Sequence, residues 1–202
     1  MYKDRKCIVV LTTREGSKRL PDKNLMVCHG KPLVMWVVDE IFKCGFIDEV
    51  YHISNSEKLK ELLSSAGCIT IDEPEELSVD TIPILTVLKY AVEQIDCDGS
   101  DYIIWADVSK PLTKSSQIEK VIRTAAAGDY DSVFTTKKLR YYLADDPAIV
   151  TQKRDELKRE DLYFGAVRLR TAKTIRNAEL NTWGRGEFHL DLCICEDHEI
   201  GV

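Results

Sequence analysis

The chain has 202 residues, of which 44% are apolar and 31% charged, and it carries a net charge of −6 at pH 7. That length suits one domain around a single core, and the acidic balance argues against nucleic acid or an anionic membrane as partner. No apolar run nears the roughly 20 residues of a bilayer span, and the polar start, Met1 to Lys6, shows no secretory leader, so a cytoplasmic protein is expected.

In chain order, Cys7 to Leu11 is a continuous apolar run, the pattern of a strand buried on both faces. A polar loop from Thr12 to Gly30 follows. Leu33, Val34, Trp36, Val37, Ile41 and Phe42 then recur at helical spacing, with Pro32 suited to the first turn. Val50 to Ser54 reads as a second strand, Glu57 to Ala66 as a helix closed by Gly67, and Cys68 to Ile71 as a third strand. Asp80 is the expected N-cap of a helix bearing Leu85, Leu88, Val92 and Ile95. Tyr102 to Ala106 is strand four, Ser115 to Ala127 a helix ending near Gly128, and Asp131 to Thr136 strand five. From Lys137 to Asp161 the sequence is charged and poorly periodic, after which Tyr163 to Arg170 and Glu187 to Ile194 return to strand patterns. This alternation predicts an α/β fold with a mostly parallel sheet. Seven scattered cysteines, Cys7, Cys28, Cys44, Cys68, Cys97, Cys193 and Cys195, suit reduced, buried thiols rather than disulfides or zinc. Trp36 and Trp105 fall on apolar faces and are expected in the core.

The loop after the first strand holds the densest positive charge. Arg14, Lys18, Arg19 and Lys23 place four cations within ten residues, around Gly16 and Ser17. In open parallel sheets ligands bind beyond the carboxyl ends of the strands, so this loop lies where a polyphosphate would bind. Planar guanidinium and compact ammonium groups both suit phosphate oxygens. The spacing is not that of a Walker loop.

The order Arg14-Glu15-Gly16-Ser17-Lys18-Arg19-Leu20-Pro21-Asp22-Lys23-Asn24, followed by Gly30-Lys31-Pro32-Leu33, closely resembles the CMP-acylneuraminate (CMP-sialic acid) synthetase family. It is similar at greater distance to the CMP-KDO synthetases. The resemblance continues through Pro74-Glu75-Glu76-Leu77-Ser78-Val79-Asp80-Thr81, Ser109-Lys110-Pro111-Leu112, Asp131-Ser132-Val133, Gly165-Ala166, and Asp191 with Glu196-Asp197. It implies a single domain over 1–202 with a Rossmann-like, mostly parallel sheet flanked by helices, of the nucleotide-diphospho-sugar transferase type. The stretch 137–163 would be a dimerisation excursion, making the protein a homodimer. The implied reaction joins CMP from CTP to an acidic 2-keto sugar and releases pyrophosphate.

By the same resemblance, Arg14, Lys18 and Lys23 would hold the triphosphate and carry catalysis. Gly16, Ser17, Asn24 and Thr86 would complete the nucleotide site. Magnesium would bridge the phosphates, held by Asp107 at the end of strand four and by Asp191. The second aspartate of the family's terminal D-x-D is Cys193 here, a poor ligand for a hard ion. Other departures are Glu73 in place of an arginine near the nucleotide, Phe164 in place of an asparagine near the sugar, Ser56 in place of an acidic residue, and Thr12-Thr13 in place of Pro-Ala. The readings left open are a CMP-KDO-like or other sugar nucleotidyltransferase, and a nucleotide-binding homologue with impaired catalysis. His189, Cys193, Cys195 and His198 have no spacing typical of structural zinc.

Overall fold

A computed structural model describes residues 2–14, 20–79, 81–136, 166–177 and 194–196. The first strand, β1 (Cys7–Thr12), occupies the middle of the sheet, with Cys7 to Leu11 fully buried. Cys7, Val9 and Leu11 face one layer of core, while Ile8 and Val10 face the other. An unbroken apolar run is what two covered faces require.

A hairpin follows, β2 (Val27–Cys28) with β3 (Lys31–Pro32), turning through His29 and Gly30. Both turn residues have positive φ, 48° and 86°, the type I′ geometry that matches strand twist. Then come α1 (Leu33–Lys43), β4 (Glu49–Ser54), α2 (Glu57–Ser65) and β5 (Ile69–Asp72). Gly67, at φ 95°, supplies the left-handed residue that closes α2, with the Cys68 N–H reaching back to the Leu63 carbonyl. After α3 (Ile84–Gln94) and β6 (Tyr102–Ala106) the chain forms α4 (Ser115–Gly128), β7 (Ser132–Thr136), β8 (Val167–Thr171), α5 (Ala172–Asn177) and β9 (Ile194–Glu196).

The sheet order is β5-β4-β1-β6-β8-β7-β9. β1 pairs in parallel with both β4 and β6, β4 with β5, and β7 with β9; β8 runs antiparallel to β6 and β7. Helices α1, α2 and α4 cover one face, and α3 and α5 the other. This is the Rossmann-like, mostly parallel architecture expected from the alternating pattern. No helix among the described residues is long and apolar enough to cross a membrane.

Several local expectations are corrected. α3 begins at Ile84 with Pro83 at its N-cap position, so the helix starts later than an Asp80 cap would place it; Asp80 lies outside the described residues. Pro32 is the residue before α1 rather than within its first turn. Trp36 is not core. It is half-buried, donates its indole N–H to the Cys28 carbonyl at 3.0 Å, and has the Lys31 ammonium 3.9 Å from its ring centroid. Phe42 is 49% exposed, and Cys28 is an exposed thiol rather than a buried one. Trp105 is likewise only partly buried. α5 was not expected, because six residues are too few for a periodic signal. The 163–165 and 187–193 portions of the two late strands, and the 137–163 excursion, lie outside the described residues.

The amino end of the sheet is tied by carboxylates. Asp101, 4% exposed, accepts the Lys6 N–H at 2.8 Å through Oδ1 and the Asp98 N–H at 2.7 Å through Oδ2. Asp48 Oδ2 accepts the Cys7 N–H at 2.9 Å. Replacing Asp101 by alanine leaves two backbone donors without these acceptors, and a loss of about 3 kcal/mol in urea unfolding is expected; a loss below about 1 kcal/mol would show that water replaces the carboxylate.

His52 is fully buried in β4, its Nε2 2.8 Å from the Thr70 hydroxyl and its Nδ1 without a partner among the described residues. Burial, aided by the Lys60 charge, pushes its pKa down from 6.5 to about 4. Between those values the unfolded chain takes up a proton that the folded chain refuses. Stability should therefore be flat above pH 6.5 and fall by about 3 kcal/mol on acidification to pH 4. The part of that slope missing in His52→Gln, read by urea titration across this range, measures the effect.

Candidate functional site

The carboxyl ends of β1, β4, β5 and β6 form one rim of the sheet. At this rim the chain leaving β1 is anchored on both sides. The Thr13 N–H donates to the Ile53 carbonyl at 3.0 Å, and the Ser54 hydroxyl donates to the Thr13 carbonyl at 2.8 Å. Thr12 Oγ1 accepts the Trp105 indole N–H at 3.1 Å. The main chain of Thr13 thus roots the loop on β4, bonds that an alanine would keep, while the Thr12 hydroxyl adds a link to β6 that a proline side chain could not make.

Arg14 is half-buried at this root, with Nη1 3.5 Å from the Ser78 carbonyl. Its charge acts on Glu73, which is only 9% exposed just past β5 and whose backbone N–H donates to the Ser54 carbonyl at 3.1 Å. Burial pushes the Glu73 carboxyl up from its usual range; Arg14 and a hydrogen bond from Ser78 pull it back part of the way. Glu73 Oε2 has no partner among the described residues. The charge reversal at Glu73 is therefore set against Arg14.

Gly16, Ser17 and Lys18 lie outside the described residues. The chain resumes at Leu20, and Asp22, at φ 51°, opens a short 3-10 turn, Lys23–Leu25. The Asp22 carbonyl accepts the N–H groups of Leu25 and Met26 at 2.8 and 3.1 Å. Leu25 packs on the α1 side of the core, which fixes Lys23 and Asn24 on the turn beside it. Among the described residues Asn24 Oδ1 is buried without a hydrogen-bond partner, a cost that a donor from a ligand would remove. Lys31 pairs with Asp39 of α1. Thr86 is in the first turn of α3, its N–H bonded to the Pro83 carbonyl at 2.9 Å.

Asp107 follows β6 at the same rim, and the β1–β6 register carried onward brings it level with Thr12. Its N–H donates to the Ala166 carbonyl at 2.9 Å, tying the rim to β8. Oδ1 accepts the Ser109 N–H at 3.0 Å and the Ser109 hydroxyl at 2.6 Å, while Oδ2 lies 3.9 Å from the Lys110 ammonium. Burial lowers the pKa of Lys110, with Asp107 opposing. Among the described residues no three His, Cys, Asp or Glu side chains gather to cage an ion. One rim carboxylate, its Oδ2 facing Lys110, fits magnesium held largely by substrate phosphates and water, which is that ion's usual habit. Asp191 and Cys193 lie outside the described residues.

Sequence reasoning passed over Arg168 and Arg170. They stand on β8 opposite Trp105 and Ile103, and Arg168 feels the charge of Asp107. The signal was the alternation Val167-Arg168-Leu169-Arg170-Thr171, which puts both arginines on the face that α3 and α5 cover.

A family model described as Cytidylyltransferase matches residues 8–182. The chain is 30% identical over 148 residues to a 3-deoxy-manno-octulosonate cytidylyltransferase 2 of Hydrogenovibrio crunogenus, covering 73% of this chain and 58% of that one. It is 27% identical over 153 residues to an N-acylneuraminate cytidylyltransferase of Streptococcus agalactiae serotype V, covering 75% and 36%. A pseudaminic acid cytidylyltransferase of Campylobacter jejuni is 23% identical over 139 residues, covering 67% and 60%. The chain thus spans between about a third and three-fifths of the length of these curated relatives. Among solved structures, a CMP:2-keto-3-deoxy-manno-octonic acid synthetase complexed with CTP has the same fold, with a TM-score of 0.69 at 16% identity over 85% of this chain and 76% of that one. The loop residues, the rim and the match over most of the length agree: the chain belongs to the cytidylyltransferase family.

Proposed function

We propose that the protein transfers CMP from CTP to an acidic 2-keto sugar of the acylneuraminate or nonulosonate type, releasing pyrophosphate. The observation that carries this reading is the cation-bearing loop rooted at the rim between β4 and β6, in a chain of this family. The sugar's anomeric hydroxyl attacks the α-phosphorus of CTP while the bond to the β-phosphate breaks, so the protein's task is alignment and charge cancellation. Arg14 would meet the α-phosphate region, and Lys18 and Lys23 the departing β- and γ-phosphates. Asn24, whose Oδ1 is unsatisfied among the described residues, and the backbone about Gly16 and Ser17 would orient the cytidine, and Thr86 would complete the nucleotide site. Asp107 and Asp191 would hold magnesium, which supplies further neutralisation of the phosphate oxygens. The stretch 137–163 would pair two subunits.

The relatives act, by their names, on three different sugar acids, so the sugar is open to a direct assay. With CTP and magnesium, pyrophosphate release is expected with at least one of 3-deoxy-manno-octulosonate, N-acetylneuraminate and pseudaminic acid. Binding of CTP with no turnover on any of them would favour the impaired nucleotide-binding homologue, a reading that the buried Glu73 beside Arg14 supports.

Lys23→Ala should lower kcat/KM for CTP by about tenfold to a hundredfold, the worth of one charge-assisted phosphate contact; an unchanged value removes Lys23 from the site. Asp107→Asn and Asp191→Asn should each raise the magnesium needed for half-maximal rate by at least roughly tenfold. Normal turnover of both variants at limiting magnesium would exclude the shared-metal assignment.

A further inference from the structure

Two backbone bonds fix where Glu73 stands relative to Arg14. The end of β4 accepts on both of its edges: the Ile53 carbonyl takes the Thr13 N–H at 3.0 Å, and the Ser54 carbonyl takes the Glu73 N–H at 3.1 Å. Thr13 and Glu73 therefore flank one strand end, the first at the exit of β1 and the second at the exit of β5. Past Glu73 a 3-10 turn, Glu75–Leu77, reverses the chain, closed by the Leu77 N–H on the Pro74 carbonyl and the Ser78 N–H on the Glu75 carbonyl. The turn delivers Ser78 between the two side chains. Its carbonyl lies 3.5 Å from Arg14 Nη1, and it also hydrogen-bonds the Glu73 carboxyl.

Glu73 differs from the other acids of this segment. Glu75 and Glu76 are exposed, and Asp72 is ion-paired with Lys60 at 2.6 Å. Glu73 is 9% exposed, and its Oε2 has no partner among the described residues. Water and salt screen an exposed carboxylate, whereas a buried one acts through a medium of lower dielectric. The charge of Arg14 acts on Glu73 and favours its ionised form against burial. Arg14 keeps other interactions within the fold, so Glu73 is a neighbour in charge rather than its sole partner.

We propose that Glu73 is a counter-charge to Arg14 that sets nucleotide affinity, holding down the site's grip on the phosphates of CTP and CMP. This rests on the reading of Arg14 as a phosphate contact. A carboxylate beside the guanidinium cancels part of its attraction for an anion and repels the arriving phosphate. The effect reaches CMP, the unit shared by CTP and the sugar nucleotide, so the same carboxylate that restrains uptake favours release. Glutamine at this position keeps the shape and an acceptor for Ser78 but carries no charge.

Calorimetric titration of CTP and of CMP into the intact protein tests the proposal. Glu73→Gln should bind both about threefold to tenfold tighter than the native protein, while Glu73→Asp, which keeps the charge, should gain less than about twofold. Cytidine, which has no phosphate, should show no such gain. The proposal is overturned if Glu73→Gln binds CTP no tighter than the native protein, if cytidine gains equally, or if Glu73→Asp gains as much as Glu73→Gln. Should the glutamine variant fail to fold, the native protein decides. By linkage, a carboxylate that opposes CTP must itself become harder to ionise when CTP binds. The Glu73 carboxyl, followed by carbon NMR, should then titrate at higher pH with CTP bound than without, and an unchanged titration overturns the proposal. CTP bound and turned over with no effect of Glu73→Gln removes the counter-charge alone; CTP that binds neither form removes the reading of Arg14 with it.

Discussion

The structure depends on β1 being buried on both faces while paired in parallel on both edges. Its side chains fill two layers of core, and its main chain is shared between β4 and β6. Such a strand has almost no freedom to shift, because slipping the register by one residue would exchange the side chains of the two layers. The point at which the chain leaves it is therefore fixed. Thr12 and Thr13 extend that rigidity two residues beyond, through Trp105, Ile53 and Ser54. A cation-rich loop starting from so firm a root can present charge at one place along the rim, which is the first requirement for holding a polyphosphate in a reactive pose.

Charge at the rim is balanced rather than simply positive. Arg14 acts on a buried Glu73, and Lys110 on Asp107, so two cations each have a carboxylate close by. Such pairing holds the long basic side chains in place before a ligand arrives, at the cost of some attraction for it. The carboxylates also offer oxygen to a hard cation. Asp107 has Oδ1 committed to Ser109 and Oδ2 turned toward Lys110, so its geometry is set by its own turn. On the far side of Trp105 the sheet carries a second positive cluster, Arg168 and Arg170, on a strand that runs against its neighbours. Because β8 is antiparallel, the start of this strand, not its end, reaches the rim. That is how residues late in the chain come to stand beside Trp105 and Asp107.

Much of this organisation was legible in the residues. Cys7 to Leu11 and Tyr102 to Ala106 are continuous apolar runs, and both are strands in the sheet's centre. The apolar spacing of α1 and the glycine after α2 mark those helices within a residue or two. The hairpin at His29 and Gly30 was not visible, because strands of two residues carry no period. Trp36 misled for a different reason: it sits at helical spacing with Val37 and Ile41, yet the hairpin places Lys31 over its ring and a carbonyl at its indole N–H. Asp80 looked like a cap, but the chain runs on to Pro83, whose fixed φ leads straight into Ile84. In the candidate site, the cations were obvious as a cluster, whereas the roles of Glu73 and of the β8 arginines were not. Those depend on pairings across strands distant in sequence, which spacing along the chain cannot encode.

The central claim is that the rim beyond β1 and β6 receives the triphosphate of CTP. A crystal structure of the protein with CTP bound tests it most directly. The account predicts the phosphates against the loop that leaves Thr13, within hydrogen-bonding distance of Arg14 and Lys23, and on the same edge as Asp107. Phosphates seated on another edge or face of the sheet, with Arg14 and Lys23 untouched, would contradict it.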